Sequence, residues 1–166
     1  MIRSSILAAA LVFAAAAAHA ETRETLVSYR DWQVRSWETD SGEKWCIAEA
    51  RSEAQAFSIE VAETVMRINF SARAWSFGNG YEDRLTLRVD QKVAWKFTNV
   101  QWVKDFMLVV LQDARRGRKF ISSIARGSEV LIGGGKDKIE ARYPIGGASV
   151  AMAALIDCEK LFLGKK

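Results

Sequence analysis

The chain has 166 residues, 49% of them hydrophobic, with 24 basic side chains against 20 acidic ones and a formal net charge of +4. That length suits one domain with a core of its own, and so small a positive excess does not point to nucleic acid as a partner. One histidine and two cysteines narrow the accessible chemistry further, depending on where they fall.

Residues 1–20 read as a cleavable secretory signal peptide. A single positive charge at Arg3 precedes an apolar run from Ile6 to Ala18, and the small-residue pattern Ala18-His19-Ala20 closes it, so the mature chain is expected to start at Glu21. The apolar run is shorter than the roughly 20 residues a membrane span needs. Later in the chain, the most apolar stretch, Phe106 to Leu111, is bounded by Asp105 and Asp113, so no transmembrane segment is expected in the mature chain. Without residues 1–20, 146 remain as a single β-rich domain, 21–166, and loss of Arg3 lowers the net charge to +3. The only histidine, His19, leaves with the signal segment. The mature protein therefore has no imidazole for Ser-His-Asp or Cys-His catalysis, for zinc ligation or for a histidine pH switch.

From there the sequence alternates with period two, the pattern of strands with one face in a core. Asp31 to Arg35 and Trp45 to Ala50 form a predicted hairpin across the polar turn Glu38-Thr39-Asp40-Ser41-Gly42. Phe57, Ile59 and Val61 define a strand, Met66, Ile68 and Phe70 the next. Leu85, Leu87 and Val89 pair with Val93, Trp95 and Phe97 around Asp90-Gln91-Lys92, giving a hairpin over 84–97. Further strands are expected at 106–111, 129–132 and 138–143, although the continuous apolar run 106–111 also suits the opening of a helix. Gly133-Gly134-Gly135-Lys136 lacks the spacing and the Ser/Thr of a phosphate loop and reads as a hairpin turn. Asn69-Phe70-Ser71 fits a glycosylation acceptor but falls inside a predicted strand.

Two segments change to helical spacing. Gly117 to Arg126 places Phe120, Ile121 and Ile124 on one side, with Gly127 as a stop. From about Ala148 to Phe162, the residues Val150, Ala154, Leu155, Cys158, Leu161 and Phe162 share a face, after a junction marked by Pro144 and Gly146-Gly147. The expected fold is mainly β: a single-domain antiparallel β-sandwich or partial barrel, with a short helix and a C-terminal helix packed on it.

Cys46 and Cys158 are the whole cysteine inventory, and an exported chain meets an oxidising compartment, so a disulfide between them is expected, with two separately buried thiols as the alternative. Neither sits in a C-x-x-C motif. Arg115, Arg116, Arg118 and Lys119 put four positive charges within five residues at a predicted helix start. Such a run reads first as a solvated turn and second as an anion-binding cluster for phosphate-bearing lipid or glycan. Of the six tryptophans, Trp32 and Trp95 read as core, while Trp37, Trp75 and Trp102 fall near predicted turns and read first as core or subunit contacts and second as exposed rings that stack on sugars. Carboxylates such as Glu60, Asp83 and Asp90 alternate outward, with nothing in the sequence bringing two together.

Two stretches, Tyr29 to Ala50 and Phe120 to Cys158, resemble the invasion-associated locus B family. Asp31, Trp32 and Cys46 match that family's opening hairpin, and the later stretch is similar to its close, a short helix, a strand, and a strand running into a glycine- and alanine-rich segment. The chain departs from the pattern at Ser36, where the family has a cysteine, and it lacks the central cysteine pair. Cys46 therefore lacks its usual partner, which strengthens a Cys46–Cys158 bridge. The resemblance implies a β-rich, exported bacterial envelope protein without assigned catalytic residues.

These readings favour a periplasmic or secreted non-enzymatic protein that needs no cofactor or metal and that binds an envelope protein, an anionic lipid or a glycan. The alternatives are a carboxylate-based hydrolase of glycosidase type and a carbohydrate-binding module.

Overall fold

The computed structural model describes residues 22–76, 81–90, 92–133 and 141–164. The signal segment expected over 1–20, most of the Gly133–Lys136 turn and residues 138–140 of the last predicted strand lie outside them. Ten strands form one antiparallel sheet: β1 (Thr22–Tyr29), β2 (Trp32–Glu38), β3 (Lys44–Arg51), β4 (Gln55–Val61), β5 (Met66–Ala72), β6 (Tyr81–Val89), β7 (Val93–Val103), β8 (Phe106–Leu111), β9 (Glu129–Gly133) and β10 (Ala141–Pro144). Helix α1 (Ala114–Ala125) follows β8, and α2 (Ala148–Phe162) follows β10. The fold is mainly β, as expected, and its strands run in the order β1-β2-β3-β4-β5-β8-β7-β6-β9-β10.

The sheet curls, so that its last strand returns over its first half. Gln55 Nε2 donates to the Arg142 carbonyl at 2.6 Å, and Tyr143 Oη donates to the Ser71 carbonyl at 3.3 Å. Trp32 Nε1 donates to the Ile145 carbonyl just beyond β10 at 3.4 Å. This is the partial barrel anticipated from alternation, open between β1 and β10. Its inner face carries Trp32, Val34, Cys46, Ala48, Phe57, Ile59, Ile68, Phe70 and Val109, all buried. Both helices pack on that face. Phe120 of α1 meets Trp95 and Phe97 of β7 edge-on, with ring centroids 5.3 and 6.3 Å apart. Gly117 lies close to β5, where a Cβ would stand 3.0 Å from the flexible tip of Met66.

Helix α2 packs on the strand pair β2–β3, and the Cys46–Cys158 disulfide joins it to β3 with Cα atoms 6.0 Å apart. Cys46 faces Ser36 across the β2–β3 ladder, so its sulfur has no neighbouring thiol on the sheet and bonds to the helix instead. The buried face of α2 is Ala148, Ala151, Met152, Leu155 and Cys158. This corrects the expected face, because Val150 is 41% and Leu161 88% exposed; with Cys158 pinned against the sheet, both fall about 60–80° round the helix from it. Gly147 caps α2 with φ of 90°, a left-handed conformation that suits glycine, and lies against the Tyr29 ring.

Two other corrections concern the strands. β1 was not anticipated, being a mostly exposed edge strand whose pairing with β2 slips at Leu26. β7 extends to Val103, six residues beyond the predicted hairpin: its register with β6 shifts between Asp83 and Leu85, so Phe97 and Val100 both point inward. That irregularity reverses the alternation and carries Trp102 inside, at 3% exposure.

Asp90 ties the β6–β7 turn to the segment after α1. It sits at φ 49°, and its Oδ1 accepts from Ser128 N at 2.9 Å, Ser128 Oγ at 2.7 Å and Glu129 N at 2.9 Å. The Ser128 hydroxyl and amide, followed by the Glu129 amide, hold its carboxyl below the usual aspartate range. A lowered native pKa gives stability that is present above the ordinary aspartate range and lost as pH falls through the lowered value. Asp90→Asn, whose side chain tolerates the same positive φ, is therefore expected to cost about 1 kcal/mol at neutral pH, with the gap narrowing in acid. Urea titrations across pH check this; a gap that does not shrink as pH falls below the ordinary aspartate range would refute the carboxylate as its source.

Candidate functional site

The most distinctive surface is α1 with its surroundings. The helix starts three residues before the expected Gly117, because Asp113 is its N-cap: Asp113 Oδ1 accepts from Arg115 N at 2.8 Å and Arg116 N at 3.1 Å. The Arg116 and Arg115 amides hold the Asp113 carboxyl below the usual range. This cap offsets the unfavourable placement of arginines at the positive end of the helix dipole.

The four cations of the predicted cluster do not share one face. At 100° per residue, Arg115, Arg118 and Lys119 share the solvent face with Ser122 and Arg126, while Arg116 points along the sheet. Its Nη2 donates to the Lys96 carbonyl at 2.7 Å, and its guanidinium lies 5.3 Å from the Phe97 ring centroid. Arg116 is thus a bracket between α1 and β7. The solvent face gains Arg126, which the sequence reading did not single out although its spacing from Arg115, Lys119 and Ser122 marks it. Among the described residues none of Arg115, Arg118, Lys119 and Arg126 takes part in an ion pair.

Charge is unevenly distributed along the chain. Residues 84–126 contain ten basic and three acidic side chains, a net +7, so the remainder of the expected mature chain, with 13 basic and 17 acidic, is −4. Two of those three carboxylates, Asp90 and Asp113, face backbone amides. Lys96 meets α1 through its backbone carbonyl alone, its exposed side chain lying on the face of β7 opposite to the Trp95 and Phe97 rings.

Other constellations are less organised for chemistry. Glu49 and Glu60 lie on the outer face of neighbouring strands, Glu60 opposite Ile47 and Glu49 two residues further on. Burial pushes the Glu60 carboxyl up, Arg67 opposes this, and the Glu49 charge adds to it. Glu49 is clamped: Oε2 accepts from Arg35 at 2.8 Å and Oε1 from Arg51 at 2.7 Å. Neither carboxylate lines the clefts at Arg88 and Arg142, at α2, or at the β4–β5 turn. The first of these, about 590 Å³ and open, has Thr86, Arg88 and Arg142 on its wall, with Arg142 paired to Glu129 at 2.7 Å. No group of three or more acidic or cysteine side chains converges on a metal position among the described residues.

The tryptophans give no flat exposed row. Trp32, Trp45 and Trp102 are buried, and Trp37, Trp75 and Trp95 half-buried. Arg67 covers Trp45 at 4.2 Å and Arg23 covers Trp37 at 4.8 Å, while Trp75 packs edge-on against Trp102 at 6.2 Å. Of the two readings of the turn-borne rings, the burial agrees with the first, core or partner contact: alternation shifts to carry Trp102 inside, and cations or neighbouring rings cover the others.

The fold and site together define a disulfide-stapled, single-sheet antiparallel β protein with a basic helix face. Comparison with protein-family models, curated proteins and solved structures finds no match to the chain.

Proposed function

We propose that this chain is an exported, non-enzymatic bacterial envelope protein, periplasmic or secreted and similar to the invasion-associated locus B family, that works by binding another envelope component. The observation that carries this reading is the Cys46–Cys158 bridge, since structural disulfides form and persist in oxidising compartments. It links the two regions in which the resemblance lies. No helix among the described residues is long and apolar enough to cross a membrane. The clamping of Glu49 by two guanidinium groups weighs against the hydrolase reading, because a carboxylate so held is a poor base or nucleophile. The covered tryptophan rings weigh against the carbohydrate-binding module.

Fractionation of expressing cells with N-terminal sequencing and thiol titration tests the proposal. Protein recovered outside the cytoplasm should begin at Glu21 or within a residue or two of it, and carry no free thiol. Recovery of a chain still beginning at Met1, in the cytosol and with two free thiols, would overturn it.

A further inference from the structure

We infer that the outward face of α1, formed by Arg115, Arg118, Lys119 and Arg126, is a docking surface for an anionic phospholipid bilayer. The four side chains fall at i, i+3, i+4 and i+11 on one exposed stripe of a 12-residue helix whose opposite face is in the core. Over that interval the stripe runs about 16 Å along the axis, the length of several adjacent headgroups. Among the described residues none of the four forms a salt bridge, and although Arg115 lies in the field of Asp113, that carboxylate and Asp90 accept from backbone amides.

The shape of the surface decides among anionic partners. A free phosphate needs a concave site with converging donors. The cleft beside this face, about 140 Å³ and bordered by Arg118, is also lined by Glu63, Asp113 and Glu159, whose charges repel an anion. Single-stranded nucleic acid is held by aromatic stacking as well as charge, and the sole aromatic residue of α1, Phe120, is fully buried. A convex stripe of cations without rings or pocket suits an extended plane of phosphates, to which clustered Lys and Arg bind additively. The inference rests on the export reading only for the presence of an envelope bilayer. Vesicle binding by purified protein and N-terminal processing are separate measurements, so each can fail alone.

The test is co-sedimentation of the purified protein with vesicles of phosphatidylglycerol in phosphatidylcholine, against vesicles of phosphatidylcholine alone. Binding is expected only to the anionic vesicles, and it should be lost when salt is raised from about 0.05 M to about 0.5 M. Each surface cation strengthens such partitioning about five-fold, so Arg118→Ser with Lys119→Ser should weaken it about 25-fold. Arg73→Ser with Lys104→Asn removes the same charge beyond the ends of β5 and β8 that lie away from α1 and should weaken it less than about three-fold. Both pairs are solvent-facing, and unchanged circular dichroism and melting confirm that the variants fold. Equal losses in the two double variants would overturn the inference, leaving net charge as the cause. So would equal binding to neutral vesicles, no binding to anionic ones, or single-stranded DNA displacing the protein from vesicles at equal phosphate concentration.

Discussion

Cys158→Ser is expected to lower the free energy of unfolding by about 3 to 4 kcal/mol. The bridged residues are 112 positions apart, and closing so long a loop in the unfolded chain is worth up to about 4 to 5 kcal/mol in the chain-entropy account, usually less when measured. The native contribution adds direction. Cys46 is fully buried on β3, and Cys158 is the last buried residue of α2, so the covalent link holds the end of the last helix on the opening hairpin. α2 has no side-chain cap at its N-terminus, and it relies on this attachment and on packing. Without the bridge, amide exchange should accelerate across 148–162 before it does in β4 and β5, because α2 is held to the sheet by side-chain packing, whereas β4 and β5 are paired on both sides by backbone ladders. Urea denaturation of wild type with and without reductant should reproduce the effect of the substitution. Unchanged stability in both experiments would show that the bridge does not constrain the fold.

The second large effect is expected at Phe57. Its ring is fully buried on β4 and touches three others: Phe70 stacked at 5.1 Å, Trp32 edge-on at 6.0 Å and Tyr143 tilted at 6.3 Å. These four rings come from β2, β4, β5 and β10, so they form the junction where the curled end of the sheet meets its first half. Tyr143 is buried, its hydroxyl reaches the Ser71 carbonyl, and burial raises its pKa strongly. Phe57→Ala removes the shared contact and leaves a cavity, and should cost about 4 kcal/mol. Phe57→Leu, which retains most of the apolar volume, should cost distinctly less. Val110→Ala on the outer face of β8, where the parent side chain is 37% exposed, should stay within about 0.5 kcal/mol of wild type. Chemical denaturation of the three variants decides the matter; a Phe57→Ala loss no greater than that of Val110→Ala would show that the ring cluster is not the junction of the barrel.

Much of this architecture is legible in the residues because burial on one face of a strand imposes a two-residue period. Phe57-Ile59-Val61 and Met66-Ile68-Phe70 announce β4 and β5, and Leu85-Leu87-Val89 announces β6 with its burial intact. The helices announced themselves by the change to a 3.6-residue period. The bridge followed from an even cysteine count once export was read. Periodicity failed where the backbone breaks step. β1 lies at an edge and is mostly wet, so it carries no alternating signal. The irregularity in β7 exchanges inside for outside, which hid both the end of that strand and the burial of Trp102.

For the candidate site, the sequence by itself determined that four cations stand within five residues and that the one histidine is His19. It held the N-cap signal as well, in Asp113 just before the run. Only the tertiary structure decided what those cations do. Which side of α1 is buried depends on Phe120 reaching Trp95 and Phe97, residues brought to it by the curl of a sheet assembled from distant strands. That contact sets the rotation of the helix, and the rotation sends Arg116 to the Lys96 carbonyl while leaving Arg115, Arg118, Lys119 and Arg126 in water. A local sequence fixes the charges and their angular spacing, but the absolute direction of a helix face comes from long-range packing.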